Sequence, residues 1–142
     1  MKKVLVLDLD NTIYPAASIA PQLFEPVYKM IDESSELKQD AEQIKSDLMK
    51  IPFQKVAESY QFPDQLKSEI VSKLQELKYE GEIEPFDDFE FVKELKARKF
   101  LVTTGFTNMQ QSKIELLRLN EIFEEIYIID PEITPDKTKG DA

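Results

Sequence analysis

Val4-Leu5-Val6-Leu7 is an unbroken aliphatic run that stops abruptly at Asp8-Leu9-Asp10, and no other feature constrains the fold as much. Apolar residues at successive positions point to both faces of a strand. Such a run predicts a strand buried between two layers, as in a parallel α/β sheet. Two later runs have the same form. Phe100-Leu101-Val102 ends in Thr103-Thr104-Gly105, and Ile126-Tyr127-Ile128-Ile129 ends in Asp130-Pro131. In a parallel sheet the three polar ends share one rim, which is where ligands bind.

Between the second and third runs, residues 109–119 have helical spacing. Ile114 and Leu117 are placed on the buried side, joined by Met109 or Leu116, and Asn120 fits the C-terminal cap. Phe89, Val92 and Leu95 mark a helix over residues 89–97. From residue 89 to 129 the order is therefore helix, strand, helix, strand, the signature of a right-handed parallel crossover. Residues 20–77 read differently. Pro21 suits the first turn of a helix carrying Phe24, Val27, Tyr28 and Ile31, and Pro26 either kinks that helix or postpones its start. Leu37, Ala41, Ile44 and Leu48 keep helical spacing. So do Phe53, Val56, Ala57 and Tyr60, and then Leu66, Ile70, Leu74 and Leu77. The expected architecture is an α/β, Rossmann-like three-layer core from residues 1–16 and 82–142, with about three parallel strands. An all-α helical bundle is inserted over residues 17–81, and Gly81 and Pro85 punctuate the return.

Composition removes whole classes of function. The 142 residues hold 28 acids against 18 bases, a net charge of −10, which repels phosphate backbones and anionic lipid. No nucleic-acid or membrane partner is expected. The chain has no cysteine and no histidine. Disulfides, thiolate zinc sites, cysteine nucleophiles, imidazole ligands and the serine–histidine triad are therefore excluded. Acid–base chemistry falls to carboxylates, lysines and tyrosines, and a metal would be a hard, oxygen-seeking one. Lys2 and Lys3 precede an apolar run too short for a secretory core. No stretch approaches the roughly 20 apolar residues of a membrane span, so a soluble, cytoplasmic protein is expected.

Asp8 and Asp10 stand at i and i+2, so in extended backbone both carboxylates face one ligand. Their mutual repulsion would be relieved by a divalent cation such as Mg²⁺. A carboxylate can also attack phosphorus to form an aspartyl phosphate, while its neighbour protonates the leaving oxygen and then activates water. An arbitrary Asp-x-Asp is more often a solvated turn. Here such a turn would also have to account for the apolar run before it and Asn11-Thr12 directly after it.

The segment from Val4 to Thr12, four apolar residues and then Asp8-Leu9-Asp10-Asn11-Thr12, resembles the first motif of the haloacid dehalogenase superfamily. Ile13-Tyr14-Pro15 is similar to members with a helical cap, including pyrimidine nucleotidase-like phosphatases. The resemblance implies that Asp8 is the nucleophile and Asp10 the general acid/base. It also implies that Mg²⁺ is held by the Asp8 carboxylate and the main-chain carbonyl of Asp10. Thr103 matches the second motif, with Thr104-Gly105 where Asn-Gly is common. Asn11, Thr103 and Thr104 are then expected to bind phosphoryl oxygens, helped by the N-terminus of the helix from about Met109. Lys137 fits the third motif, with Lys139 as its rival.

The fourth motif is a pair of acids after a fourth strand, and the sequence reaches Ala142 before such a strand; the nearby acids are Asp130, Asp136 and Asp141. The expectation is a C-terminally truncated product, or a first strand left at an edge that pairs with another copy, giving a homodimer. The implied function is an Mg²⁺-dependent phosphatase acting on a small phosphorylated metabolite, a nucleotide or sugar phosphate, through an aspartyl phosphate. A phosphomutase and a non-catalytic phosphate-binding protein or fragment remain alternatives. Leu37, Ile44, Leu66, Ile70 and Leu74 are assigned to the bundle interior. Tyr14, Phe24 and Tyr28 are placed in the core in preference to the substrate site.

Overall fold

The computed structural model describes residues 3–133. Lys137, Lys139, Asp136 and Asp141 lie outside the described residues. In chain order the elements are β1 (Lys3–Leu7), α1 (Ala20–Leu23), α2 (Glu25–Glu33), α3 (Ala41–Leu48), α4 (Phe53–Ser59), α5 (Asp64–Glu76), α6 (Phe89–Glu94), β2 (Ala97–Thr104), α7 (Thr107–Leu116) and β3 (Glu125–Ile129). Short 3₁₀ turns stand at Ala16–Ser18, Lys38–Asp40 and Leu119–Glu121. The chain divides into two units, Met1–Ile19 with Lys78–Ala142, and Ala20–Leu77.

The first unit is the α/β, Rossmann-like part. Its three strands are all parallel, in the order β1-β2-β3, with Val6 opposite Phe100 and Phe100 opposite Glu125. Leu101 and Thr103 point to one face and are fully buried. Both connecting helices lie on that face: Lys99 donates to the carbonyl of Lys93 in α6, and Gln110 of α7 donates to Thr103. Two right-handed crossovers that step the same way across a sheet put their helices on the same side. On the opposite face Val102 of β2 is buried, whereas β1 is open. Val4 and Val6 project there and are 60% and 59% exposed.

That corrects the reading of β1 as a strand buried on both faces. Four consecutive aliphatic residues show that both faces are apolar; they do not show that both are covered. The end of α7 also differs from expectation. Its C-cap is Leu117, and Arg118 takes the left-handed conformation at φ 55°, while Asn120 sits in the following 3₁₀ turn. Leu116 is exposed, and the buried stripe of α7 is Met109, Gln110, Ser112, Lys113 and Ile114.

The second unit is all helix, and its interior is aliphatic and aromatic. Val27, Ile31, Ile44, Val56 and Ile70 are fully buried, and Phe53 meets Phe62 edge-on. Pro26 lies in the first turn of α2, where its missing N–H would have had no partner, so it opens a new helix instead of kinking one. Pro52 and Pro63 stand just before α4 and α5 in the same way. Tyr28 packs against Phe24 and lies 5.7 Å from the Lys45 ammonium, which is paired with Asp32.

Candidate active site

The rim formed by the C-terminal ends of β1 and β2 brings Asp10 and Thr103 together through one side chain of α7. Asp8 follows the last residue of β1, and one of its carboxylate oxygens accepts the N–H of Leu9 at 2.7 Å. The chain then turns tightly. Thr12 and Ile13 both donate to the carbonyl of Leu9, Asn11 donates to that of Tyr14, and Asn11 adopts φ 62°. Asparagine tolerates this left-handed conformation better than most residues. Its side-chain oxygen accepts the N–H of Ala16 at 2.9 Å, so the oxygen of this expected phosphate ligand holds the turn.

The turn leaves Asp10 among three donors. Oδ1 accepts from the Lys113 ammonium at 2.9 Å and from the Tyr14 hydroxyl, and Oδ2 accepts from the Gln110 amide at 2.9 Å. The same amide nitrogen donates to Thr103 Oγ1 at 2.8 Å. Gln110 therefore bridges the residues that end β1 and β2. It can do so because residue 105 is glycine: a Cβ there would come within 2.8 Å of Gln110 Cδ. Thr104 is half-buried at the end of β2.

Two opposing effects set the charge of Asp10. Burial alone would push its carboxyl up; the Lys113 ammonium and the hydrogen bonds from Tyr14, Lys113 and Gln110 outweigh it, and the result lies below the ordinary 3.8. Asp10 is thus held as a carboxylate. Tyr14 moves the opposite way. Its burial and the charges of Asp10 and Asp8 push the phenol far above its usual 10, so it remains a hydrogen-bond donor. Lys113 also lies 5.8 Å from the Tyr14 ring centroid, within cation–π range.

Asp130 takes a part the sequence does not suggest. It is buried at the end of β3, and its Oδ2 accepts the N–H of Thr107 at 2.9 Å and the Thr107 hydroxyl at 2.8 Å. The helix expected to receive phosphate from about Met109 begins two residues earlier, at Thr107, and this N–H is bonded to a protein carboxylate.

Gln110, Lys113 and the hydroxyl of Tyr14 are the site residues that sequence reasoning missed. A signal was present. Gln110 and Lys113 share the helical stripe of Met109 and Ile114, and polar groups on an apolar stripe are buried only when paired. Lys113 is 4% exposed.

For a metal, the described residues offer the Asp8 carboxylate and the Asp10 carbonyl, and no group of three or more acidic residues gathers among them. Two hard oxygen donors suit Mg²⁺, which keeps several waters and takes few protein ligands. Among the described residues, no helix is long and apolar enough to cross a membrane.

A family model described as haloacid dehalogenase-like hydrolase matches residues 5–138. Among solved structures, the fold is similar to that of the HAD-hydrolase YfnB from Bacillus subtilis bound to magnesium. The identity is 19% and the TM-score 0.50, over 94% of this chain and 65% of that one. A haloacid dehalogenase-like family hydrolase from Xanthomonas campestris matches at 16% identity and TM-score 0.43, covering 94% and 66% of the two chains. The L-2-haloacid dehalogenase from Xanthobacter autotrophicus matches at 11% and 0.43, covering 90% and 57%. The chain thus spans less than two thirds of the length of these relatives, from 57% to 66%. No curated protein matches it.

Proposed function

Because the chain belongs to the haloacid dehalogenase-like hydrolase family, we propose that it has the architecture of a phosphatase that acts on a small phosphorylated metabolite through an aspartyl phosphate. The observation that carries this reading is the pair Asp8 and Asp10 at the end of β1, with Asp10 tied through Gln110 to Thr103 at the end of β2. Asp8 is the nucleophile. An oxygen of its carboxylate attacks phosphorus in line, the ester P–O bond breaks, and the leaving oxygen takes a proton relayed from water by Asp10 to depart as an alcohol. Water then attacks the aspartyl phosphate. The bond between phosphorus and Asp8 breaks, inorganic phosphate forms, and Asp10 accepts the water's proton.

The second acid favours phosphoryl transfer over dehalogenation, because an alkoxide leaving group needs a proton and a halide does not. Thr103, with Thr104 and Asn11, orients phosphoryl oxygens at the rim, and Lys137 neutralises their charge. Mg²⁺, held by the Asp8 carboxylate and the Asp10 carbonyl, would supply charge neutralisation when bound. The helical unit is the cap that selects the leaving group.

A second reading, a phosphate-binding protein without turnover, draws on the absence of a three-acid cluster among the described residues. Hydrolysis of p-nitrophenyl phosphate with and without Mg²⁺ separates the two. Metal-dependent turnover lost in Asp8→Asn supports the phosphatase; phosphate binding with no turnover in any divalent metal supports the binder.

A further inference from the structure

We propose that Gln110 is a positioning residue for phosphoryl transfer, its amide nitrogen aiming the Asp10 carboxylate and the Thr103 hydroxyl at one phosphoryl group. The proposal rests on the phosphatase reading and deepens it. Gln110 is 1% exposed, and its Nε2 donates to Asp10 Oδ2 at 2.9 Å and to Thr103 Oγ1 at 2.8 Å. A carboxylate offers no hydrogen, so the amide turns its nitrogen to this side and not its oxygen. That nitrogen carries two hydrogens, and these two bonds use both.

What Gln110 leaves unspent is what the reaction needs. A carboxylate has about four lone-pair sites. Lys113 and Tyr14 take the two on Oδ1, and Gln110 takes one on Oδ2. The last site, on the oxygen that Gln110 holds, can accept from water and pass the proton to a leaving oxygen. Thr103 Oγ1 accepts from Gln110, so its own hydrogen points elsewhere and can be given to a phosphoryl oxygen. Because both groups hang on one nitrogen, they stand within two hydrogen-bond lengths of each other.

Gly105 keeps the room that this placement requires. A Cβ there would stand 2.8 Å from Gln110 Cδ and 2.9 Å from Cγ, and the glycine has no positive φ. The position therefore calls for the missing side chain and not for a special backbone. Packing alone does not call for an amide, because methionine has similar length and brings no buried hydrogen-bonding demand.

The test compares kcat/KM for p-nitrophenyl phosphate and phenyl phosphate, with Mg²⁺ present, in the wild-type chain, Gln110→Met and Gly105→Ala. Circular dichroism verifies that each variant is folded. The p-nitrophenolate ion leaves with little need of a proton, whereas phenolate needs one. Gln110→Met is expected to lose about tenfold on the first ester and about a hundredfold on the second. Gly105→Ala displaces the amide without removing it and should show the same asymmetry. Equal losses on both esters, or no loss, overturn the proposal and leave the phosphatase reading standing. Affinity for inorganic phosphate, by titration calorimetry, is a readout independent of turnover. Gln110→Met and Thr103→Val should each weaken it about fivefold, and the double variant no further, because both act through one hydroxyl. Effects that multiply, or an affinity unchanged in Gln110→Met, overturn the proposal. A wild-type chain that binds phosphate but hydrolyses neither ester overturns the phosphatase reading, and the affinity cycle then decides the role of Gln110. A wild-type chain that does neither overturns both.

Discussion

The interior of the helical unit and the interior of the sheet unit are built on opposite terms. Around Ile31, Ile44, Val56 and Ile70 the helical unit buries hydrocarbon, and its stability follows from apolar area removed from water. The sheet unit buries Thr103, Gln110, Ser112, Lys113 and Asp130 beside Leu101 and Ile114. Each buried polar group costs free energy unless its partners are in place, and an ion pair in a core is seldom more stabilising than hydrocarbon of the same volume. A fold seeking only stability would put leucine or methionine at positions 110 and 113. Thr103, Gln110 and Lys113 gather where β1 and β2 end, so that rim is where this unit gives up hydrocarbon packing for paired polar groups.

Removing one partner of the ion pair probes this contrast most severely. Lys113→Met leaves Asp10 as a partly buried charge without its cation, and the loss is expected at about 3–5 kcal/mol in urea unfolding. Adding Asp10→Asn to Lys113→Met should recover more than half of that loss. If the two substitutions add instead, the ion pair is no unit and the contrast fails.

In the helical unit, Ile70→Ala is expected to cost about 2–5 kcal/mol through the lost side chain and the cavity it leaves. No second substitution on a polar residue should rescue it. Thr103→Val removes an acceptor from the Gln110 amide at nearly constant volume, with an expected cost of about 1–3 kcal/mol. Phosphatase turnover should fall along with it, whereas Ile70→Ala should leave the chemical step of the folded protein unchanged.

Acid and alkaline titrations sharpen the comparison further. The folded pKa of Asp10 is depressed, so its stabilising contribution is complete above the ordinary carboxylate value of 3.8 and is lost as pH falls through the folded value. The folded pKa of Tyr14 is raised, so its contribution is complete below 10 and declines as pH rises beyond it. Stability measured against pH should flatten at the acid end in Asp10→Asn and at the alkaline end in Tyr14→Phe. The smallest effect is expected at Arg98, whose exposed bidentate pair with Glu124 is screened by water. Arg98→Gln should leave the denaturation midpoint nearly unchanged.

The positions of the strands were legible because Val4 to Leu7, Phe100 to Val102 and Ile126 to Ile129 are apolar runs bounded by polar residues. The helices of residues 20–77 were legible from spacing alone, because a helix packed on one side declares its apolar stripe. Cover on the second face of β1 was not legible, since it depends on which side each crossover passes. Asn120 drew the helix end by its usual tolerance of left-handed backbone, and the fold placed Arg118 there instead. Of the candidate site, Asp8 and Asp10 stand out at a strand end, and Thr103 was named through the family resemblance. Gln110 and Lys113 were signalled only by sharing the stripe of Met109 and Ile114, and their partner could not be read, because the carboxylate set against them comes from another strand.

The central claim is that Asp8 carries the phosphoryl group, and trapping the intermediate tests it most directly. The protein would be mixed with p-nitrophenyl phosphate and Mg²⁺, quenched in acid, reduced with borohydride and mapped by mass spectrometry. The account predicts reduction of the side chain at position 8 to an alcohol, at that position alone, and no such product in Asp8→Asn. Turnover that survives in Asp8→Asn, or a phosphoryl group trapped on any other residue, would contradict it.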